Sequence, residues 1–420
     1  MYMKKVTVLV MAVLAFGQFA AAQNKLTTGK WRALLHRADG NDIVFNFQLA
    51  WQKSKPVLYI LNAAEKLAVT DVQLQGDSMN FNMPFFESAF RTRIFSKDSI
   101  SGVWVKATSS GKNIEMPFTA STRYTYRFQP QAGSTAGTVT GKWSVQFLDK
   151  EGKPDEPAIG VFTQKGKAVT GSILTPTGDY RFLEGRMNGN TLLLSTFDGS
   201  HAFVIRAELK EGKLTDGMFY AGLTSKQGWT AVRNDTATLP DLAAMYVKKG
   251  EEGYPDFRFK DMEGKEVSIK DDRFKNKVVI IQLMGSWCPN CMDETAFLSE
   301  YYRKNQARGV EIVALAYEYT TDFNRSQQSL RKFQQRFNVT YPILITGVSV
   351  TDTLRTEKTL PQFTRIKSFP TSIILDRTGK VRKIDNGFVG PGTGAYFTTY
   401  KNEFEKLMNE LLAEGAVTKP

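Results

Sequence analysis

Only two cysteines occur in the 420 residues, and they stand three positions apart, at Cys288 and Cys291. They fall where an almost unbroken apolar run, 277–284, gives way to a helical pattern from about 289 to 307. An apolar run without polar alternation marks a strand covered on both faces. The segments 310–316, 341–346, 371–375 and 380–384 read as further strands alternating with helices. The last helix is amphipathic, with Tyr396, Tyr400, Phe404, Leu407 and Leu411 at near-helical spacing. A strand, then Cys-Pro-Asn-Cys, then a helix therefore sits inside an α/β sheet pattern.

That placement has chemical consequences. Cys288 occupies a helix N-terminus, where free N–H groups and the helix dipole favour a thiolate. Pro289 suits the first helical position, because its missing N–H would be unpaired there anyway. Cys288 is expected to be the accessible nucleophile, and Cys291, one turn in, the shielded thiol that resolves a mixed disulfide. Three other uses of the pair are weaker. A disulfide across two residues closes too small a loop to staple a fold. A zinc site needs more ligands, and the rest of the chain has no further Cys and only His36 and His201, both far upstream. Haem attachment needs a His after the second Cys, where Met292 stands. Thiol redox chemistry is the expectation, with neither metal nor cofactor implied.

The rest of the chain is organised around this unit. Lys4 and Lys5, an uncharged apolar run at 6–19 and Ala20-Ala21-Ala22 have the form of a signal peptide, 1–22, cleaved near Ala22. The run is shorter than the ~20 residues of a spanning helix, and no later segment is apolar enough to span. The expectation is an exported protein with no membrane insertion of the mature chain. The formal charge is +13, but its basic residues are scattered, which suits a solvated surface and not a nucleic-acid partner.

Residues 23–235 read as short strands divided by turn signals such as Asp39-Gly40, Asn188-Gly189 and Glu211-Gly212, an all-β barrel or sandwich. Gly29-Lys30-Trp31 is echoed by Gly141-Lys142-Trp143, and Leu74-Gln75-Gly76 by Leu183-Glu184-Gly185, the pattern of an internal duplication set against chance recurrence of strand and turn signals. A linker is expected at 236–253, with one short helix at 239–245, before the α/β unit at 254–415. The β domain is expected to be independent, contributing recognition and no catalysis.

Trp287-Cys288-Pro289-Asn290-Cys291, the strand before it, and Phe369-Pro370-Thr371 resemble the thioredoxin superfamily. Pro255-Asp256-Phe257 onward, with 310–314 and Asp376-Arg377-Thr378-Gly379-Lys380, is similar to the TlpA- and ResA-like extracytoplasmic reductases over about 254–412. The resemblance implies a thioredoxin fold in which Pro370 is cis and faces the cysteines, while the backbone at Phe369 pairs with an extended substrate. It also implies proton transfer by Glu294, three residues after the second Cys. Thioredoxin's buried acid, six residues before the first Cys, is here Gln282, which leaves Glu294 as the candidate base. Trp287 is expected beside the sulfurs. The implied function is a periplasmic protein-disulfide reductase, acting on a protein disulfide and recharged by a membrane thiol-transfer partner. An oxidase or isomerase would use the same residues, and a binding protein led by the β domain is the reading from a different class.

Overall fold

The computed structural model describes residues 26–133, 137–240 and 244–414. The signal-peptide expectation lies outside the described residues, as does the middle of the expected helix at 239–245, whose described ends are not helical.

The N-terminal region is two successive antiparallel sheets of nine strands each. The first runs from Gly29–Leu35 to Ile114–Ser121, and those two strands pair with each other. Its edges are Glu65–Val69 and Val72–Gln75, which are consecutive in the chain. The second runs from Gly141–Leu148 to Ser225–Arg233, again with first and last strands paired. Here Pro154–Lys165 pairs with Ala168–Thr175, which pairs with Leu183–Asn188, so the sheet closes into a barrel. Closure removes exposed edges and buries one face of every strand.

The echoed tryptophans are equivalent in place and contact. Trp31 and Trp143 are buried in their sheets, and each donates its indole N–H to the carbonyl four residues earlier, of Thr27 and Val139.

The C-terminal unit is thioredoxin-like. Its strands are β1 (Arg258–Asp261), β2 (Glu266–Ser268), β3 (Val278–Met284), β4 (Val310–Ala316), β5 (Ile343–Ile345), β6 (Thr371–Leu375) and β7 (Val381–Asn386). Its helices are α1 (Pro289–Asn305), α2 (Phe323–Phe337), α3 (Arg355–Thr359) and α4 (Ala395–Ala413). The sheet order is β2-β1-β5-β4-β3-β6-β7, with β3 parallel to β4 and antiparallel to β6. Every residue of β3 and β4 is buried, which is why both lack polar alternation.

Half of the expected linker belongs to this unit. Met245 lies in its core, Val247 bridges to Phe363, and the Gly253 carbonyl accepts from Val381 N at 2.9 Å. Apolar Met245 and Val247 gain burial by docking, so 245–253 is strapped to the sheet.

The β region also packs on the α/β unit. Phe85 stacks on Phe337 with ring centroids 5.4 Å apart, and Glu87 pairs with Arg325.

Candidate active site

The two cysteines sit at the C-terminal end of β3, the central strand, on the first turn of α1. Open α/β sheets place ligands at this end of their strands. Gly285 makes the entry possible: a Cβ there would lie 2.1 Å from Trp287 Nε1, so only glycine lets the indole fold back over the turn. Cys288 N–H donates to the Gly285 carbonyl at 3.1 Å, and Cys288 caps α1 as its sulfur accepts from Cys291 N–H at 3.2 Å. The Cys288 sulfur thus takes the place of a capping side chain at the start of α1.

The Cys288 thiol faces the Phe369 carbonyl oxygen at 3.5 Å, and the Phe369–Pro370 peptide is cis. Trp287 donates to the Tyr317 carbonyl at 2.8 Å, stacks on Tyr319 at 5.3 Å, and meets Phe369 edge-on at 5.8 Å. Residues 287, 288, 369 and 370 are therefore gathered into one place.

One expectation needs correction. Cys288 is only 5% exposed, against 0% for Cys291, so the expected nucleophile is not openly accessible. Sequence spacing puts it at a helix start, but the aromatic wall of Trp287, Tyr319 and Phe369 is assembled from three separate segments.

Glu294 is buried behind the cysteines. Its carboxyl accepts from Gln282 Nε2 at 2.7 Å and from Ser372 Oγ at 2.9 Å. Burial pushes it up to about 7, although both hydrogen bonds act to lower it. The Cys291 thiol is also pushed well up, first by burial, then by the hydrogen bond and charge of Cys288, with a further contribution from Glu294. Glu294 thus lies within electrostatic reach of Cys291, and Gln282 is its direct partner.

Sequence reasoning missed a second buried carboxyl. Glu318 accepts from Ser286 N at 2.8 Å and Ser286 Oγ at 2.7 Å, tying the end of β4 to the loop before Cys288. Burial pushes it up to about 7 as well. Its sequence signal was an acid two residues past the end of a buried strand, the edge where such sheets build sites.

The β region, expected to contribute recognition and no catalysis, reaches the same turn. Asn290, between the cysteines, donates to the Asp179 carbonyl at 3.2 Å, and Asp293 pairs with Arg181 at 2.7 Å. The two histidines are engaged elsewhere or at the margin: His36 bonds Asp42 and Thr119, and His201 Nδ1 lies 3.2 Å from Asp198. Among the described residues no cluster of three or more His, Cys, Asp or Glu side chains is arranged to hold a metal, and no helix is long and apolar enough to cross a membrane.

The family model and the curated relatives matched by this region share one chemistry, thiol redox. The Redoxin family model matches residues 248–399. The thiol-disulfide oxidoreductase ResA of Geobacillus thermodenitrificans is 32% identical over 133 residues, 32% of this chain and 67% of the relative. ResA of Bacillus thuringiensis subsp. konkukian is 31% identical over 127 residues, 30% of this chain and 64% of the relative. A secreted thiol-disulfide isomerase from Corynebacterium glutamicum is a solved structure with TM-score 0.31 and 19% identity, covering 42% of this chain and 95% of its own. The chain spans about two thirds of the length of the curated relatives it matches.

Proposed function

We propose that this chain, which belongs to the ResA-like family of thiol–disulfide oxidoreductases, is a periplasmic protein-disulfide reductase working through Cys288 and Cys291. The observation that carries the reading is the pair itself at the start of α1, with Cys291 N–H donating to the Cys288 sulfur. Thiolate Cys288 attacks a substrate disulfide, forming a mixed disulfide and releasing one substrate thiolate. Cys291 loses its proton towards Glu294 and attacks the Cys288 sulfur. The second substrate sulfur leaves as a thiolate and takes up a proton, so the substrate disulfide has gained two electrons and Cys288 and Cys291 are left joined as a disulfide. A membrane thiol-transfer protein, by family analogy, restores the dithiol.

The direction is supported by the electrostatics. Burial and a neighbouring carboxyl disfavour a thiolate at Cys291. Stabilisation of the reduced pair as thiolate is what makes a strong oxidant, and burial of Cys291 works against it. Trp287, Phe369 and Pro370 are assigned to the substrate groove. Export after cleavage near Ala22 fits the pattern of the first residues. We take 23–235 as a β region of two related sheets, the second closed into a barrel, since both have paired terminal strands and the same buried Trp.

The test is insulin reduction by the mature chain with dithiothreitol as the electron source. Cys288→Ser should abolish turnover, and Cys291→Ser should trap a mixed disulfide at Cys288. Full turnover by the Cys288 variant would rule out the mechanism.

A further inference from the structure

A hairpin at 175–181 leaves the wall of the barrel and enters the thiol site. Gly178 and Asp179 form a two-residue strand on the end of Ala168–Thr175. Gly178 has φ +148° and lies against Asn290, so close that a Cβ would sit 2.5 Å from Asn290 Nδ2. The same Nδ2 donates to the Asp179 carbonyl, while the Asp179 carboxylate accepts from Gly390 N at 2.7 Å. On the other side of the hairpin, a Cβ at Gly387 would come within 3.1 Å of the Thr177 backbone. The hairpin is thus wedged between the first turn of α1 and the loop before α4.

Arg181 continues the wedge. Its Nε and Nη2 donate to Asp293 Oδ2 and Oδ1 at 2.7 and 2.9 Å, a two-pronged pairing. Nη1 reaches Asp198 at 3.0 Å and Nη2 reaches Glu65 at 2.6 Å. One buried guanidinium therefore ties both β sheets to the helix that carries the cysteines. Besides these three carboxylates, the charged groups around it are Asp179, His201 beside Asp198, and Lys106, whose Nζ donates to the Ser200 carbonyl at 2.7 Å. Asp293 is two residues past Cys291, one turn from the helix start where the Cys288 sulfur sits. An uncompensated carboxylate there opposes a thiolate at that start.

We propose that Arg181 is a positioning residue of the thiol site: by neutralising Asp293 and holding the first turn of α1, it sets the reactivity of Cys288 and the redox poise of the pair. The β region is then part of the redox machinery as well as a neighbour of it. This rests on Cys288 and Cys291 being the redox pair. Reversible cycling of the wild-type full chain in dithiothreitol buffers tests that premise first, apart from any variant.

The experiment measures two quantities on the full mature chain: the rate of Cys288 alkylation by iodoacetamide, and the dithiol–disulfide equilibrium against dithiothreitol. Arg181→Met should slow alkylation about threefold to tenfold, and should shift the equilibrium towards disulfide by up to about tenfold, ~30 mV. Arg181→Lys, which keeps the charge, should recover part of both. Asp293→Asn should move both readouts the opposite way, and the Arg181→Met, Asp293→Asn double variant should return towards wild type. If Arg181→Met does not fold, Asp293→Asn decides alone, and faster alkylation upholds the proposal. A purely structural ion pair would change thermal stability and leave both readouts within about twofold of wild type. That result in folded variants, or a shift in the same direction for Arg181→Met and Asp293→Asn, would overturn the proposal.

Discussion

Replacing Glu294 with Gln tests the buried carboxyl by two routes at once. The substitution keeps size and hydrogen-bonding shape: Gln can accept from Gln282 Nε2 and donate to Ser372 Oγ, the two partners Glu294 has now. What it removes is ionisation. In the folded chain burial raises this carboxyl from 4.5 to about 7, so the folded state holds the proton more tightly than the unfolded state. Below about pH 4.5 both states are protonated and the group's favourable contribution is complete. As pH rises towards about 7 the unfolded chain has already ionised and the folded chain has not, so stability falls. At ~1.4 kcal/mol per pH unit the loss totals ~3 kcal/mol and then levels off. Glu294→Gln should lack this component. Relative to wild type, the variant should gain up to ~3 kcal/mol between pH 4.5 and 8, read from hydrogen exchange of the 278–284 amides in the reduced protein. The second route is kinetic. If Glu294 takes the Cys291 proton, resolution of a mixed disulfide should slow ~100-fold or more in the variant, and its inflection near pH 7 should vanish. An unchanged resolution profile would reduce Glu294 to a buried partner of Gln282 and Ser372. A stability difference independent of pH would refute the electrostatic reasoning itself.

Two further outcomes are expected. Glu318→Gln should leave Cys288 alkylation unchanged at pH 6 and speed it severalfold at pH 8, because Glu318 ionises near 7 and its charge then opposes a nearby thiolate; equal rates for variant and wild type at both pH values would contradict this. Gly185→Ala should destabilise the barrel by ~1–3 kcal/mol or more, since its Cβ would lie 1.8 Å from the Leu193 carbonyl oxygen, a backbone atom that cannot step aside; the check is thermal unfolding, and an unchanged melting temperature would count against the barrel packing.

What could be read from the sequence is what neighbours in the chain decide. A strand, a glycine turn and a helix opening on Cys-Pro-Asn-Cys are local, and helix geometry alone places Cys291 one turn from Cys288. The paired Gly-Lys-Trp openings are local too, and each Trp bonds a carbonyl only four residues back. The tertiary structure decided what depends on distant segments. Pairing of Gly141–Leu148 with Ser225–Arg233 closes a barrel across some eighty residues, and strand alternation carries no record of which strand it will meet. The Ser286–Glu318 clasp joins two strand ends that come together only through the parallel pairing of β3 with β4. Burial of Cys288 needed aromatic side chains from three segments. Arg181 and Asp293 are 112 residues apart, and each alone reads as an ordinary solvated charge. Only docking of the barrel on α1 removes the water between them and turns two surface charges into a buried pair beside the thiols, because an ion pair's strength is set by the solvent its surroundings exclude.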